Sequence, residues 1–270
     1  MCGGSDLYVY FTYDAQPPLE TRFPLAAGSQ YWRELHRCAQ CGHYLEHFPV
    51  DQAALYGGEY VSATYGGGEG LLNSFERINA LPPERSDNVQ RVRHLIDFCN
   101  GHWSAERWAD RKPTLLDVGA GLGVFPYRMR QAGWDCTALD MDPRQVEHLR
   151  QIAGVRAELG DLRQPHELGR FDLITFNKVL EHVVDPIDVL ASSADRLLGD
   201  GLVYVELPDG EAAEAEGKER EEYLLGHIHV FSFASFALLV ARAGLRLLSC
   251  ERVREPSTKY TLRGFARAQS

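Results

Sequence analysis

No run of eighteen uninterrupted apolar residues occurs among the 270 of this chain, so a membrane-spanning helix is not expected. The opening residues Met1-Cys2-Gly3-Gly4-Ser5-Asp6 hold neither a basic cluster nor an apolar core. No secretory leader is therefore expected, and the cytoplasm is the expected compartment. A concentrated basic surface is also missing: Arg128 and Arg130 fall in one helical stretch, and Arg246, Arg252 and Arg254 are scattered near the end. With a formal charge of −10, neither nucleic acid nor an anionic membrane is expected as the main partner. There is no internal repeat. Cysteine is sparse, at six residues, and Cys99, Cys136 and Cys250 lie in apolar stretches where a thiol is an inert core filler. That leaves Cys2, Cys38 and Cys41 available for chemistry.

Residues 112–270 alternate between strand and helix patterns. Thr114-Leu115-Leu116-Asp117-Val118 is a short apolar strand ending in a glycine turn. Phe125, Met129 and Ala132 then recur at helical spacing up to Gly133. Further strands are expected at Cys136–Leu139, Val155–Leu159, Phe171–Phe176 and Leu202–Leu207, with Gly199-Asp200-Gly201 breaking the chain before the last of these. Ser232 reads as the cap of a helix carrying Phe233, Phe236, Ala237 and Val240, and two strands close the chain at Leu245–Cys250 and Lys259–Phe265. This alternation implies a doubly wound α/β fold, a mostly parallel sheet covered by helices on both faces. The first 111 residues lack the rhythm. Residues 1–50 read as a small antiparallel module. Residues 51–111 hold a tyrosine-rich stretch with Tyr56, Tyr60 and Tyr65, then an amphipathic helix marked by Val92, Leu95, Ile96 and Cys99. Residues 211–222 hold six glutamates and read as a solvated lid or insertion.

In such a sheet ligands bind at the carboxyl ends of the strands. The turn after the first strand, Gly119-Ala120-Gly121-Leu122-Gly123, lacks the third glycine of a dinucleotide fingerprint, because residue 124 is Val. An NAD-linked oxidoreductase is correspondingly disfavoured. Asp117 followed by this G-x-G-x-G turn resembles the first motif of the class I S-adenosylmethionine-dependent methyltransferases, and the ordered set over residues 112–265 supports the resemblance. It implies a Rossmann-like, mostly parallel seven-stranded sheet. It implies too that Gly119, Gly121 and Gly123 lie against the methionine part of the cofactor and that Asp140 binds both ribose hydroxyls. Met141 then packs against the adenine, Asp161 and Leu162 address its edge, and Asn177 borders the same site. A degenerate, non-catalytic binding protein would have lost these residues. A methyltransferase acting on protein or nucleic acid would want a groove or a basic surface.

Related quinone-forming O-methyltransferases carry a second glutamate three residues before a Glu-His pair. Lys178 stands in that place before Glu181 and His182, so no catalytic Mg²⁺ is expected, and this pair reads equally well as a structural organiser of its loop. The N-terminal part is similar to the zinc-binding, zinc-ribbon-like front domain of sugar C-methyltransferases that act on nucleotide-linked deoxysugars. Cys38-Ala39-Gln40-Cys41 can present two thiolates to one zinc ion, and Cys2-Gly3-Gly4 looks like half of a second knuckle. A structural zinc on Cys2, Cys38 and Cys41 is expected, with His43 favoured over His36 as fourth ligand. The same resemblance places His227 at the catalytic histidine, with His229 and His182 as rivals and Tyr65 in the covering stretch. That family's neighbouring glutamate and tyrosine are replaced by Gly226 and Leu224. Methyl transfer to a hydroxyl oxygen of a sugar, a nucleotide sugar or another small polar acceptor is therefore expected ahead of C-methylation of a nucleotide-linked keto-deoxysugar. The oligomeric state stays open.

Overall fold

The computed structural model describes residues 1–18, 20, 30–48, 68–164 and 167–269. Seven strands form one sheet: β4 (Thr114–Val118), β5 (Asp135–Asp140), β6 (Arg156–Leu159), β7 (Phe171–Asn177), β8 (Leu197–Pro208), β10 (Leu245–Arg254) and β11 (Tyr260–Ala268). Their order is β10-β11-β8-β7-β4-β5-β6. β4 through β8 pair in parallel, and β11 alone runs antiparallel to both its neighbours. This is the Rossmann-like, mostly parallel architecture that the alternation implies.

Strand periodicity divides the core in two. Leu115, Cys136, Leu173, Leu202 and Tyr204 share one buried cluster, whereas Leu116, Ile174, Val203 and Val205 share another. Successive strand residues point to opposite faces, so continuous apolar strands need cover on both sides. The first cluster is covered by α2 (Asp87–His102), α3 (Val124–Gln131) and α4 (Pro143–His148), and the second by α5 (Pro186–Ala191) and α7 (Phe233–Arg242). A further helix, α1 (Gly68–Asn79), packs Phe75 into the first cluster. Capping follows the sequence. The Ser86, Asp142 and Asp185 side chains each accept a backbone N–H at their helix starts, and Ser232 and Ser235 close a reciprocal capping box on α7.

Two expectations change, and the antiparallel N-terminal module gains a strand. Gly199-Asp200-Gly201 does not end a segment: β8 begins at Leu197 and carries these residues as an irregularity in its pairing with β7. Residues 211–222 are not wholly a solvated lid. They begin in a short helix, α6 (Gly210–Ala213), and Ala213 and Glu222 are buried, the latter held by Arg220. Finally, β1 (Leu7–Tyr13), β2 (Arg33–Cys38) and β3 (Tyr44–His47) form an antiparallel sheet with a fourth strand, β9 (His229–Val230), from the segment after β8. Tyr13, Leu35 and Tyr44 bury against Ala213, Tyr223 and Val230, so the N-terminal strands are packed onto the insertion of the large domain.

Candidate functional site

The neighbours of β4 are β5 on one side and β7 on the other, so the strand order reverses at β4, and sheets of this kind bind ligands outside the carboxyl ends of the strands at such a reversal. There the backbone turns through Gly119, Gly121 and Gly123 with φ of 66°, 52° and 71°, a region that side chains with a Cβ avoid. A Cβ at Gly123 would stand 2.5 Å from Leu149, so that position serves packing. At Gly121 nothing lies within 4 Å, which leaves open space along the turn.

Asp140 closes β5 beside this loop. Its Oδ2 accepts the Gly121 N–H at 2.9 Å and its Oδ1 the Asp142 N–H at 3.0 Å, while burial raises its pKa. Met141 next to it is 71% exposed, a large apolar side chain offered to solvent. Asp161, just beyond β6, is held by the Arg163 backbone N–H at 3.0 Å and by the Arg163 guanidinium, and Leu162 is buried behind it. Asp117 is buried and pushed up to about 7 by that burial, against the hydrogen bonds it accepts from Thr175 and Asn177 at 2.7 and 2.8 Å. Asn177 Oδ1 is a buried acceptor with no partner among the described residues. A glycine turn with free space, a carboxylate at the end of β5 and an orphaned acceptor at the end of β7 fit a cofactor that brings several N–H and O–H donors, as S-adenosylmethionine does.

A second group lies past the end of β7. Glu181, His182 and His227 each offer a donor atom, and the three atoms lie within 4.8 Å of one another. His182 Nδ1 is 2.7 Å from the Gly226 carbonyl and His227 Nδ1 is 2.8 Å from the Glu222 carbonyl, with the rings 5.0 Å apart edge to face. Burial, then His182, lowers His227 to about 3, and burial lowers His182 as well. Burial pushes Glu181 up to about 8. His229 stands apart: Nδ1 meets His43 Nε2 at 3.0 Å and Nε2 faces the Val184 carbonyl at 3.3 Å. Tyr65 lies outside the described residues.

Largely buried ion pairs that carry no local sequence signal surround this group. Arg91, on α2, donates from Nε to Glu206 Oε2 at 2.7 Å, and Tyr204 donates to Glu206 Oε1 at 2.6 Å. Lys178, in a left-handed conformation with φ 59°, pairs with Glu255 at 2.7 Å. Arg91 had no local signal, because it sits at a helix position that reads as ordinary amphipathic surface. Its partner lies 115 residues away.

The thiols of Cys2, Cys38 and Cys41 do gather, within 4.8 Å of one another, with Cys2 and Cys38 Sγ 3.5 Å apart. The Gly4 N–H, 3.3 Å from Cys2 Sγ, lowers the pKa of that thiol, and burial raises that of Cys41. Three soft donors in this spacing suit zinc. The expected fourth ligand is corrected: His43 is turned inward, with Nδ1 3.2 Å from Ser235 Oγ and Nε2 on His229. It lies in the turn just before β3, is buried, and has its ring on these core partners and not on the three thiols. His36 is bound to Glu34 at 2.7 Å.

The ubiquinone biosynthesis O-methyltransferase of Actinobacillus pleuropneumoniae serotype 5b is 30% identical over 166 residues, 57% of this chain and 64% of that protein. The corresponding protein of Haemophilus ducreyi is 31% identical over 143 residues, 49% of this chain and 55% of the relative. The chain thus spans less than two-thirds of the length of these curated relatives. Among solved structures, the 1,6-didemethyltoxoflavin-N1-methyltransferase of Burkholderia thailandensis has the same fold, with a TM-score of 0.60 at 19% identity over 95% of this chain and 100% of that one. The magnesium protoporphyrin IX methyltransferase of Synechocystis PCC 6803 aligns with a TM-score of 0.59 at 14% identity, covering 80% and 100%. A family model described as a methyltransferase domain matches residues 86–250, which contain the glycine turn, Asp140, Asp161 and Asn177. More than half of the chain lies within that match, and the chain belongs to the methyltransferase domain family.

Proposed function

We propose that this protein transfers a methyl group from S-adenosylmethionine to an oxygen of a small polar acceptor, with a sugar or nucleotide sugar as the first class to test. The observation that carries this reading is the group of residues at the carboxyl ends of β4, β5 and β7. There the Gly121 N–H is pinned to Asp140, open space adjoins Gly121, and the Asn177 acceptor is unmet. Asp140 would hold the ribose hydroxyls, Asp161 and Leu162 the adenine edge, with Met141 over its face, and Asp117 and Asn177 would border the methionine part. When bound, the cofactor supplies an electrophilic methyl group. The chain's own work is to orient the acceptor in line, to place charge and to exclude water.

Arg91 pairs with Glu206 and Lys178 with Glu255, two ion pairs that fix the charges near the carboxyl ends of β7 and β8. His227 is the proposed base. Its Nδ1 is committed to a carbonyl, which makes Nε2 of the neutral ring the acceptor of a proton. The likeness to ubiquinone biosynthesis O-methyltransferases supports oxygen as the acceptor atom. We further infer that Cys2, Cys38 and Cys41 hold a structural zinc whose fourth position is filled by a ligand other than His43. The test of function is incubation of purified protein and cofactor with nucleotide sugars and with small phenols, followed by product mass and fragmentation. A gain of one methyl on oxygen is expected, a methyl on carbon would point to the keto-deoxysugar reaction, and no methylated product with bound cofactor would reject the reading.

A further inference from the structure

We infer that Glu46, with Arg33 and Glu20, positions the His227 ring by holding the short segment 222–226 from the N-terminal module. The inference rests on the reading of His227 as the base. All three positioning residues lie outside residues 86–250, the part of the chain that matches the methyltransferase domain family.

Glu46 lies on β3, next to the Leu45–His229 pairing with β9. Its backbone N–H donates to the Ile228 carbonyl at 3.0 Å, and its Oε2 accepts the Gly226 N–H at 3.4 Å. One residue therefore holds both chain neighbours of His227. Arg33, at the start of β2, donates from Nη1 to the Tyr223 carbonyl at 2.7 Å. Glu20 Oε2 accepts the Leu225 N–H at 3.0 Å. The same segment supplies the Glu222 carbonyl, 2.8 Å from His227 Nδ1. The ring and the carbonyl that orients it are thus carried by one loop, which the N-terminal module grips at Tyr223, Leu225 and Gly226.

The charges show why the module and the loop belong together. Arg33 is fully buried, pairs with Glu20 and with Glu46 at 3.1 Å each, and lies 4.0 Å from the centre of the Tyr13 ring. Two carboxylates against one guanidinium leave a negative charge in excess, which is costly in an interior unless further donors meet it. The Leu225 and Gly226 N–H groups and the Tyr31 hydroxyl are such donors. Gly226 has φ 97°, a conformation open to glycine, and two successive N–H groups turn there toward the same acidic pair. Burial still pushes Glu46 up to about 7, against the pull of Arg33 and of the Gly226 N–H. An ion pair that served only to close the N-terminal sheet would have no need of the loop. A reacting group displaced by about 1 Å can lose ~100-fold in rate, so a rigid grip on this loop has a direct use.

The experiment is ¹⁵N NMR of the imidazole nitrogens in histidine-labelled full-length protein, which reads tautomer and protonation without any acceptor. The His227 signals are assigned by their loss in H227Q. Wild type is expected to hold the His227 proton on Nδ1, in a ring that is neutral near neutral pH. E46Q keeps the shape of the side chain but offers one acceptor atom, so it cannot serve Arg33 and the Gly226 N–H together. It should turn His227 into a mixture of tautomers. E46D, too short to reach both partners, replaces E46Q should the latter unfold. D172N breaks a buried ion pair at the amino ends of β4 and β7, and should leave the His227 signals in place. Unchanged His227 signals in folded E46Q, or an equal change in D172N, would overturn the positioning. On a nucleotide sugar or phenol found by product mass to be methylated, E46Q should lower kcat by ~10- to 100-fold with acceptor KM within about two-fold. In the H227Q background the same substitution should cost nothing further, and an equal loss there would also overturn the inference. A normal rate in H227Q would remove the base reading alone, because the ring signals are read independently of turnover.

Discussion

Replacing Gly121 by Ala separates a folding role from a binding role at the cofactor loop. Gly121 has φ 52°, and a Cβ built there meets nothing within 4 Å. The cost to the free protein is therefore backbone strain alone, about 1–2 kcal/mol for a residue with a Cβ in the left-handed region. That corresponds to a drop of a few degrees in Tm for a chain of this size. If the free space is where the cofactor lies, the added methyl must overpack the complex, and overpacking costs roughly 1–3 kcal/mol. Affinity for S-adenosylmethionine should then fall by about 5- to 150-fold. Gly133→Ala is the control. Gly133 also has a positive φ, 98°, and open space around its Cβ, but it lies between α3 and β5 at the opposite end of the sheet. It should lose a similar amount of stability and no affinity. Thermal unfolding with and without cofactor, together with calorimetric titration, measures both quantities. Unchanged affinity in folded Gly121→Ala would refute the placement of the cofactor along this turn. Equal loss of affinity in Gly133→Ala would show that backbone strain, not occlusion, is being read.

Asp140→Ala removes both the ribose acceptor and the hydrogen bond that pins the Gly121 N–H. Loss of charged hydrogen bonds costs ~1.5–3 kcal/mol, so calorimetry should show at least a roughly ten-fold weaker cofactor complex. Cys38→Ser should abolish zinc in elemental analysis of untagged protein, and less than about a tenth of an equivalent in folded wild type would sink the structural zinc. His227→Ala should lower single-turnover methyl transfer by ~10²–10⁴-fold with cofactor affinity intact, whereas His229→Ala should act mainly through stability, because both its ring nitrogens serve interior contacts. A normal rate in His227→Ala with collapse in His182→Ala would move the base to His182. Asp172 is fully buried; burial would raise its pKa, but hydrogen bonds from Arg111, Arg107 and Thr114 outweigh this and hold it at about 2. Its folded pKa lies below the unfolded value of ~3.9. It therefore contributes about 2.5 kcal/mol that is present above pH ~4 and lost as pH falls through 4 toward 2, and Asp172→Asn should flatten urea-midpoint curves in that window.

The order of the strands in the chain, their two-faced apolar character and the helix caps were legible in the sequence, because each depends on residues adjacent in the chain. Thr114–Val118 and Phe171–Asn177 announce themselves by local hydrophobicity, and Asp142 and Ser232 cap their helices through contacts within three residues. The glycine turn and Asp140 were legible for the same reason: both sit at fixed places on a recognisable strand-and-turn pattern. The tertiary structure alone decided which histidines meet. His43, two residues beyond Cys41, reads as the natural zinc ligand, yet in the turn before β3 its ring meets Ser235 and His229, 186 and more residues away in the chain. His227 and His229 differ by two positions, and the short β9 pairing sends His229 into the interior while His227 joins Glu181 and His182. Arg91 against Glu206 and Lys178 against Glu255 likewise depend on where α2 and the β10–β11 hairpin dock on the sheet. Local pattern fixes which backbone shape a segment takes, but which buried charges pair is settled only when distant segments exclude water together.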